Sequence, residues 1–357
     1  MLTFDLPSEQ NSIYHAVRIH HIIRETEDTS TFILQPVQRN LDYLPGQFLT
    51  FVFRQNGVQY RRSYSISSSQ DAGEPLAITV KRVPNGIFSR ALLDQAEPGD
   101  MLTVVGGATG FFTVEEDLSQ LRQIFFLAAG GGITPVYPII QRLLHRYPEV
   151  QPVLIYSNRS HSSTIFREKL HHLEKSGRIK IEWLFSDSRD LRRARLGKTL
   201  LEELLSVHLT SPISKVRFYL CGPFDYMRMA TIVLQNAGAT VTQIRREIFA
   251  PLPPPVKDVP PDKSAHQVTI VTKEQHHTFT SAYPDSILSA ARKLGIVLPY
   301  SCDAGRCGSC VAQCVSGKIW MRYNEVLTDN EIARGRVLVC QSFPVGGDVE
   351  LTITESL

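Results

Sequence analysis

The sequence predicts a multidomain chain: a small antiparallel β-barrel, an α/β domain on a parallel sheet, and a separate C-terminal module. Three observations predict it. Residues 250–265 carry six prolines and almost no hydrophobic periodicity, a composition that favours an extended, semi-rigid spacer. Before residue 118 the chain shows short β-rich runs at 15–23, 31–35, 48–53, 62–66, 76–82 and 101–105. Turn signals such as Pro45-Gly46, Pro84-Asn85-Gly86 and Pro98-Gly99-Asp100 separate them, and strands at that spacing suggest a barrel. From 123 to 249, strand patterns at 124–128, 153–157, 180–185 and 216–221 alternate with helical patterns at 136–146, 166–176, 200–207 and 226–237. That alternation predicts a parallel sheet. The boundaries expected are 11–118, 119–250, a linker at 251–265, and 266–357.

Composition sets bounds on the rest. At 357 residues the chain is too long for one ordinary domain. A hydrophobic content of 43% and a charged content of 20% fit a globular protein with sizeable cores. A net charge of +3 is too weak to argue for nucleic acid. The apolar run at 124–129 is far too short to span a bilayer. The N-terminus lacks a basic region followed by an apolar stretch, so secretion is not expected.

The C-terminal module opens with a strand-like run at 268–271 and a helical pattern across 285–294. It then places Cys302, Cys307 and Cys310 close together, with Cys340 thirty positions on. The spacing C-x4-C-x2-C…C is that of a plant-type 2Fe–2S ferredoxin, and the layout is that of a β-grasp domain. Gly305 and Gly308 are expected to let the loop backbone approach the inorganic sulfides. Cys307-x2-Cys310 alone is a zinc half-site, but a second such pair is missing. Cys314 is read as a small buried hydrophobe rather than a ligand. Thiolates for a cluster need a reducing compartment, which points to the cytoplasm.

Upstream, Arg62-Ser63-Tyr64-Ser65 offers a bidentate phosphate donor and a ring able to lie on an aromatic cofactor. Gly86-Ile87-Phe88-Ser89 opens a helix whose N–H groups suit a second anionic group. After the strand at 124–128 comes Gly130-Gly131-Gly132-Ile133-Thr134-Pro135. There the glycines suit a pyrophosphate, Thr134 suits a cap, and Pro135 suits the first helical position. Cys221-Gly222-Pro223 ends a strand on the carboxyl edge, where open α/β sheets bind ligands. Each of these also has a plain structural explanation, from strand alternation to an ordinary turn.

Together, Arg62-x-Tyr64-Ser65, Gly86-x-x-Ser89, Gly130-Gly131-Gly132-x-Thr134-Pro135, Cys221-Gly222-Pro223 and Glu247-x-Phe249 occur in the order of the ferredoxin–NADP reductase superfamily. With the C-terminal cysteines, the chain resembles the reductase component of multicomponent oxygenases, of the phenylacetyl-CoA epoxygenase reductase type, over residues 14–357. The resemblance implies a Greek-key β-barrel for flavin, an α/β nucleotide domain and a β-grasp 2Fe–2S ferredoxin. It implies that Arg62 binds flavin phosphate, Tyr64 packs on the isoalloxazine and Ser65 hydrogen-bonds near its N5. Ser63, Lys81, Gly86, Phe88 and Ser89 join the flavin set, in a form that looks like the FAD-binding branch. Gly131, Gly132 and Thr134 would cradle the nicotinamide dinucleotide, with Asn158, Cys221, Gly222 and Pro223. Ser65, Cys221, Glu247 and Phe249 would flank the reacting rings, and Cys302, Cys307, Cys310 and Cys340 would hold the metal. Relatives often carry proline where this chain has Ala108, so the contacts of that loop stay open.

No acid follows the second α/β strand until Glu168, which leans to NADPH through Arg159, with NADH as the alternative. Arg189, Arg192, Arg193 and Arg195 read as solvated charge, and the pairs His20-His21, His171-His172 and His276-His277 suggest no metal. The activity implied is an NAD(P)H-dependent flavin iron–sulfur oxidoreductase feeding a terminal oxygenase, hydroxylase, desaturase or other one-electron acceptor. A quinone reductase or general diaphorase, and a non-catalytic metal-binding module, are the rival readings.

Overall fold

A computed structural model describes residues 13–38, 40–55, 58–249, 258–272 and 276–353. The first part of the expected linker, residues 251–257, lies outside the described residues. The chain divides into two compact units. The first comprises residues 1–104 and 112–249, and the second comprises 105–111 and 250–357.

The first unit begins with β1 (Tyr14–Thr26), β2 (Thr29–Pro36), β3 (Phe48–Gln55), β4 (Val58–Ser65), β5 (Ala77–Lys81) and β6 (Met101–Val105), with helix α1 (Ile87–Gln95) between the last two. The strands lie in the order β4-β3-β6-β1-β2-β5. An antiparallel bridge between Ile66 and Ile78 joins the two ends of that order and closes the sheet on itself, which removes the unpaired edges an open sheet would leave. Phe51, Phe53 and Phe88 fill the interior, Phe53 and Phe88 with ring centroids 4.6 Å apart.

The same unit continues with β7 (Gln123–Ala129), α2 (Ile133–Arg146), β8 (Gln151–Asn158), α3 (Arg167–Lys175), β9 (Lys180–Phe185), α4 (Lys198–His208), β10 (Val216–Cys221), α5 (Phe224–Asn236) and β11 (Ile244–Glu247). All pairings are parallel, in the order β11-β10-β7-β8-β9. The near-continuous apolar runs of β7 and β8 follow from burial on both faces. Strand order reverses between β7 and β10, and such a switch point opens a crevice at the carboxyl edge.

The second unit contains β12 (His266–Val271), β13 (His276–Ser281), α6 (Ile287–Lys293), β14 (Val311–Ser316), β15 (Ile319–Met321), α7 (Asp329–Ala333), β16 (Arg336–Leu338), β17 (Ser342–Pro344) and β18 (Val349–Thr352). Its mixed sheet runs β13-β12-β18-β14-β16, with β12 and β18 parallel at the centre. Helix α6 packs Ile287, Leu288 and Ala291 into the sheet's hydrophobic cluster, and Ser286 caps it by accepting from the Ser289 N–H. Cys314 departs from expectation: it is half-buried, its thiol directed at the Ser316 carbonyl. Among the described residues no helix is long and apolar enough to cross a membrane.

Candidate cofactor and cluster sites

The α/β edge is shaped by the glycine turn that links β7 to α2. A Cβ on Gly132 would fall 2.0 Å from the Cys221 carbonyl oxygen, so the turn and the end of β10 touch through bare backbone. Gly131 faces open space. Thr134 does not cap the helix: its hydroxyl donates to the Gly131 carbonyl at 3.0 Å, and Gly132 takes the N-cap position. Pro135 is accordingly the third helical residue rather than the first. Tyr156 donates to the Gly130 carbonyl at 3.1 Å and steadies the turn from beneath.

At the end of β8, Ser157 Oγ and both polar atoms of the Asn158 amide are buried beside the Tyr226 and Tyr156 hydroxyls with no well-formed hydrogen bond. Such orphaned groups are costly and rare in a finished core, so a polar ligand along this edge fits the residues present. Arg159, next in sequence, is exposed. Gly222 packs against Ala129, and Pro223 precedes α5. Cys221 is fully buried, and desolvation, then the nearby Glu247, pushes its thiol well above the usual range. Register places Cys221 directly beside Glu247 on the neighbouring strand. Although Glu247 keeps some solvent contact as a residue, its carboxyl sits deep enough that burial raises its pKa to about 8. Phe249, just past β11, is 52% exposed, a large ring on open surface.

In the barrel, strand alternation puts Arg62 and Tyr64 on one face of β4 and Ser63 and Ser65 on the other. Arg62 is exposed, with its guanidinium turned to the Arg61 carbonyl. Tyr64 lies edge-on to Phe51, and burial pushes its phenol up. Ser63 shares a hydrogen bond with Thr50 at 2.9 Å, while Ser65 is buried at the strand end. Lys81 pairs with Asp28 at 3.6 Å. Gly86 caps α1, and the buried Ser89 hydroxyl accepts from the Val83 N–H. The Phe88 side chain belongs to the barrel core, so within the expected flavin set only its backbone is open to a ligand.

The cysteine loop carries three of the four predicted ligands, and Cys340 comes from the segment between β16 and β17. Its thiols fall into two pairs, Cys302 beside Cys307 and Cys310 beside Cys340. Hydrogen bonding between the first pair holds Cys302 below the usual thiol range and pushes Cys307 above it; the second pair raises Cys310 in the same way. The Ala304 and Arg306 N–H groups donate to Cys302 Sγ at 3.4 Å, and the Cys302 N–H reaches Cys307 Sγ at 3.5 Å. Amides aimed at sulfur stabilise thiolate charge. Among the described residues no group of three or more His, Cys, Asp or Glu is placed around a single ion. Pairing two by two suits a dinuclear cluster, two ligands to each iron. The two glycines also have a cause in the protein itself. Gly305 and Gly308 both take left-handed backbone (φ 72° and 75°), and a Cβ on either would strike protein, Tyr323 or Phe111.

One clamp escaped the sequence. Arg306, 5% exposed at its side chain, pairs with Glu325 at 3.0 Å, and its guanidinium donates to Tyr323 Oη. The Glu325 N–H in turn donates to the Gly305 carbonyl. These partners lie beyond Cys310, in a segment with no periodic relation to the cysteines, so no local pattern finds them.

Family models for an oxidoreductase FAD-binding domain, an oxidoreductase NAD-binding domain and a 2Fe-2S iron-sulfur cluster binding domain match residues 15–113, 126–231 and 271–345. The chain is 32% identical over 346 residues to one of the polypeptides of 1,2-phenylacetyl-CoA epoxidase from Escherichia coli, covering 94% of this chain and 96% of that protein. It is 31% identical over 345 residues to the glycine betaine monooxygenase reductase subunit of Pseudomonas aeruginosa, covering 93% of each. Among solved structures, phthalate dioxygenase reductase superposes with a TM-score of 0.59 at 24% identity, over 96% of this chain and 99% of that one. The chain therefore belongs to the family of oxidoreductases that join an FAD-binding domain, an NAD-binding domain and a 2Fe–2S ferredoxin domain in one polypeptide, the family of oxygenase reductase components.

Proposed function

We propose that this oxidoreductase takes electron pairs from NADPH and delivers them singly to a separate terminal oxygenase. Flavin held by the barrel would supply two-electron hydride chemistry, and a 2Fe–2S cluster held by Cys302, Cys307, Cys310 and Cys340 would supply one-electron chemistry, so paired input would leave as single electrons. In this reading residues 11–118 hold the flavin, 119–250 the dinucleotide, 251–265 act as tether, and 266–357 hold the cluster. Arg62 and the first turn of α1 neutralise the flavin phosphates, and Tyr64 and Phe249 offer rings to the isoalloxazine. Gly131 and the orphaned Asn158 amide receive the dinucleotide. Cys221 and Glu247 border the place where hydride moves, and Ser65 stands at the end of β4 to hydrogen-bond the flavin.

The observation that carries the reading is the two-by-two pairing of the four thiols, with backbone amides directed at sulfur. NADPH rather than NADH is supported by Arg159, exposed where a ribose-binding carboxylate would otherwise stand. A terminal oxygenase as acceptor is supported by relatives whose names describe components of monooxygenases and an epoxidase. The cytoplasm is supported by six free cysteines, four of them needed as thiolates.

The test uses the full chain, because deleting 266–357 would also strip the partners of residues 105–111. Cys310→Ser abolishes the cluster's visible bands and cuts NADPH-dependent cytochrome c reduction more than about 100-fold, beyond what outer-shell changes cost metal sites. Ferricyanide reduction, which draws on flavin, persists. Cytochrome c turnover at the wild-type rate in that variant refutes the electron order.

A further inference from the structure

The loop around Ala108, whose contacts the sequence left open, groups with the second unit. Phe111 packs, half-buried, against the hydrophobic cluster that contains Cys310 and Cys340. A Cβ on Gly308 would come within 2.8 Å of two carbons of the Phe111 ring and 3.1 Å of Val326. Gly308, between Cys307 and Ser309, is thus gripped between two apolar side chains. The Arg336 guanidinium lies over the same ring, 5.6 Å from its centroid. At the other end of the segment, a Cβ on Gly106 would meet Pro299, three residues before Cys302, at 3.8 Å. Gly106 and Gly110 take φ of 67° and 122°, conformations that let so short a segment turn back on itself.

We propose that Phe111 is a positioning residue of the 2Fe–2S site: its ring pins the Gly308 turn and so fixes the loop between Cys307 and Cys310. The inference rests on the cluster-binding reading above and adds a residue that the ferredoxin sequence does not itself contain. Two physical consequences follow. Ligands held by a fixed loop release metal slowly, because detaching one thiolate requires the turn to move. An apolar ring over the turn also limits water near the sulfur atoms, and solvent exposure is one of the terms that set a cluster's reduction potential. Reduction adds negative charge, which water stabilises, so removing the ring moves the midpoint upward.

The experiment compares full-length wild type, Phe111→Ala and Phe111→Leu. Loss of the cluster's visible absorption under EDTA is followed with time, and the midpoint is measured by EPR-monitored titration. The alanine variant bleaches roughly tenfold faster, the low end of the 10–100-fold that outer-shell changes cost metal sites, and its midpoint rises. The leucine variant, which keeps an apolar contact on Gly308, returns both to within about twofold or close to the wild-type value. Should the alanine variant fail to retain any cluster while the leucine variant is near normal, the proposal stands on the rescue. Identical bleaching, midpoint and line shape in Phe111→Ala and wild type overturn it. A wild type with no EPR signal after dithionite removes the cluster reading itself, and is told apart because the defect then precedes any substitution.

Discussion

The cysteine loop and the carboxyl edge of the parallel sheet, both proposed to hold negatively charged groups, are built in opposite ways. The loop supplies four named side chains, and its backbone serves those side chains by aiming amides at Cys302. The sheet edge supplies almost no side chains where β7 and β10 meet: Gly131 and Gly132 present backbone, and Cys221 contributes a carbonyl to the packing. Ligation to metal demands a specific atom, whereas a dinucleotide demands a shape and a field. The first kind of site is written in residue identity and the second in residue absence.

The sharpest way to break that comparison is to fill the glycines one at a time. At Gly132 an added methyl meets the Cys221 carbonyl at 2.0 Å, and neither backbone can retreat without parting α2 from β10. Gly132→Ala therefore destabilises the protein by at least about 3 kcal/mol, the upper range of overpacking, read as a fall in melting temperature. At Gly131 the same methyl points into open space. Gly131→Ala leaves stability within about 0.5 kcal/mol but weakens NADPH binding about tenfold, ~1.4 kcal/mol, by titration calorimetry. Equal stability losses in the two variants would mean that the turn is not divided between packing and ligand.

This division explains what could be read in advance. The four cysteines, the strand alternation of Arg62 to Ser65 and the parallel sheet were legible because each depends on local spacing. Thr134 as a cap was not, because the helix begins two residues earlier than a cap at Thr134 would require. Phe88 sits in a motif expected to hold flavin, yet its own ring is claimed by the aromatic core with Phe51 and Phe53. Arg306 with Glu325, and Phe111 with Gly308, are contacts between distant segments, set by the closing of the fold. Sequence spacing reports what one element can do; it is silent on which partner arrives from elsewhere.

A smaller effect tests whether the sheet edge uses any side chain for recognition. Arg159 is exposed beyond β8, free to meet a 2′-phosphate. A charge-assisted hydrogen bond is worth about 1.5–3 kcal/mol, so Arg159→Ala lowers kcat/KM for NADPH by roughly 10–100-fold and for NADH by less than about threefold. A parallel fall for both nucleotides would assign Arg159 to the loop rather than to the phosphate, and the preference for NADPH would lose its support.

The smallest effect lies at Glu247, an ionisable side chain beside Cys221 on the edge that is proposed to receive the nicotinamide. Burial raises its pKa from 4.5 to about 8, so the carboxyl is neutral at physiological pH and charged above about 8. A new negative charge there opposes the arrival of hydride, so the rate of anaerobic flavin reduction by NADPH falls as pH rises through about 8. Glu247→Gln, neutral throughout, loses that alkaline limb while changing the neutral-pH rate only a few-fold, roughly 1 kcal/mol or less. The sign for stability runs the same way. The native carboxyl holds its proton more tightly than the unfolded chain does, so the contribution is complete below about 4.5 and lost as pH climbs through about 8. The glutamine variant therefore gains on wild type between about pH 4.5 and about pH 8 in denaturant titrations. A pH profile that survives the substitution unchanged would assign the alkaline limb to another group, with the buried Cys221 thiol the nearest titratable neighbour across the β10–β11 register.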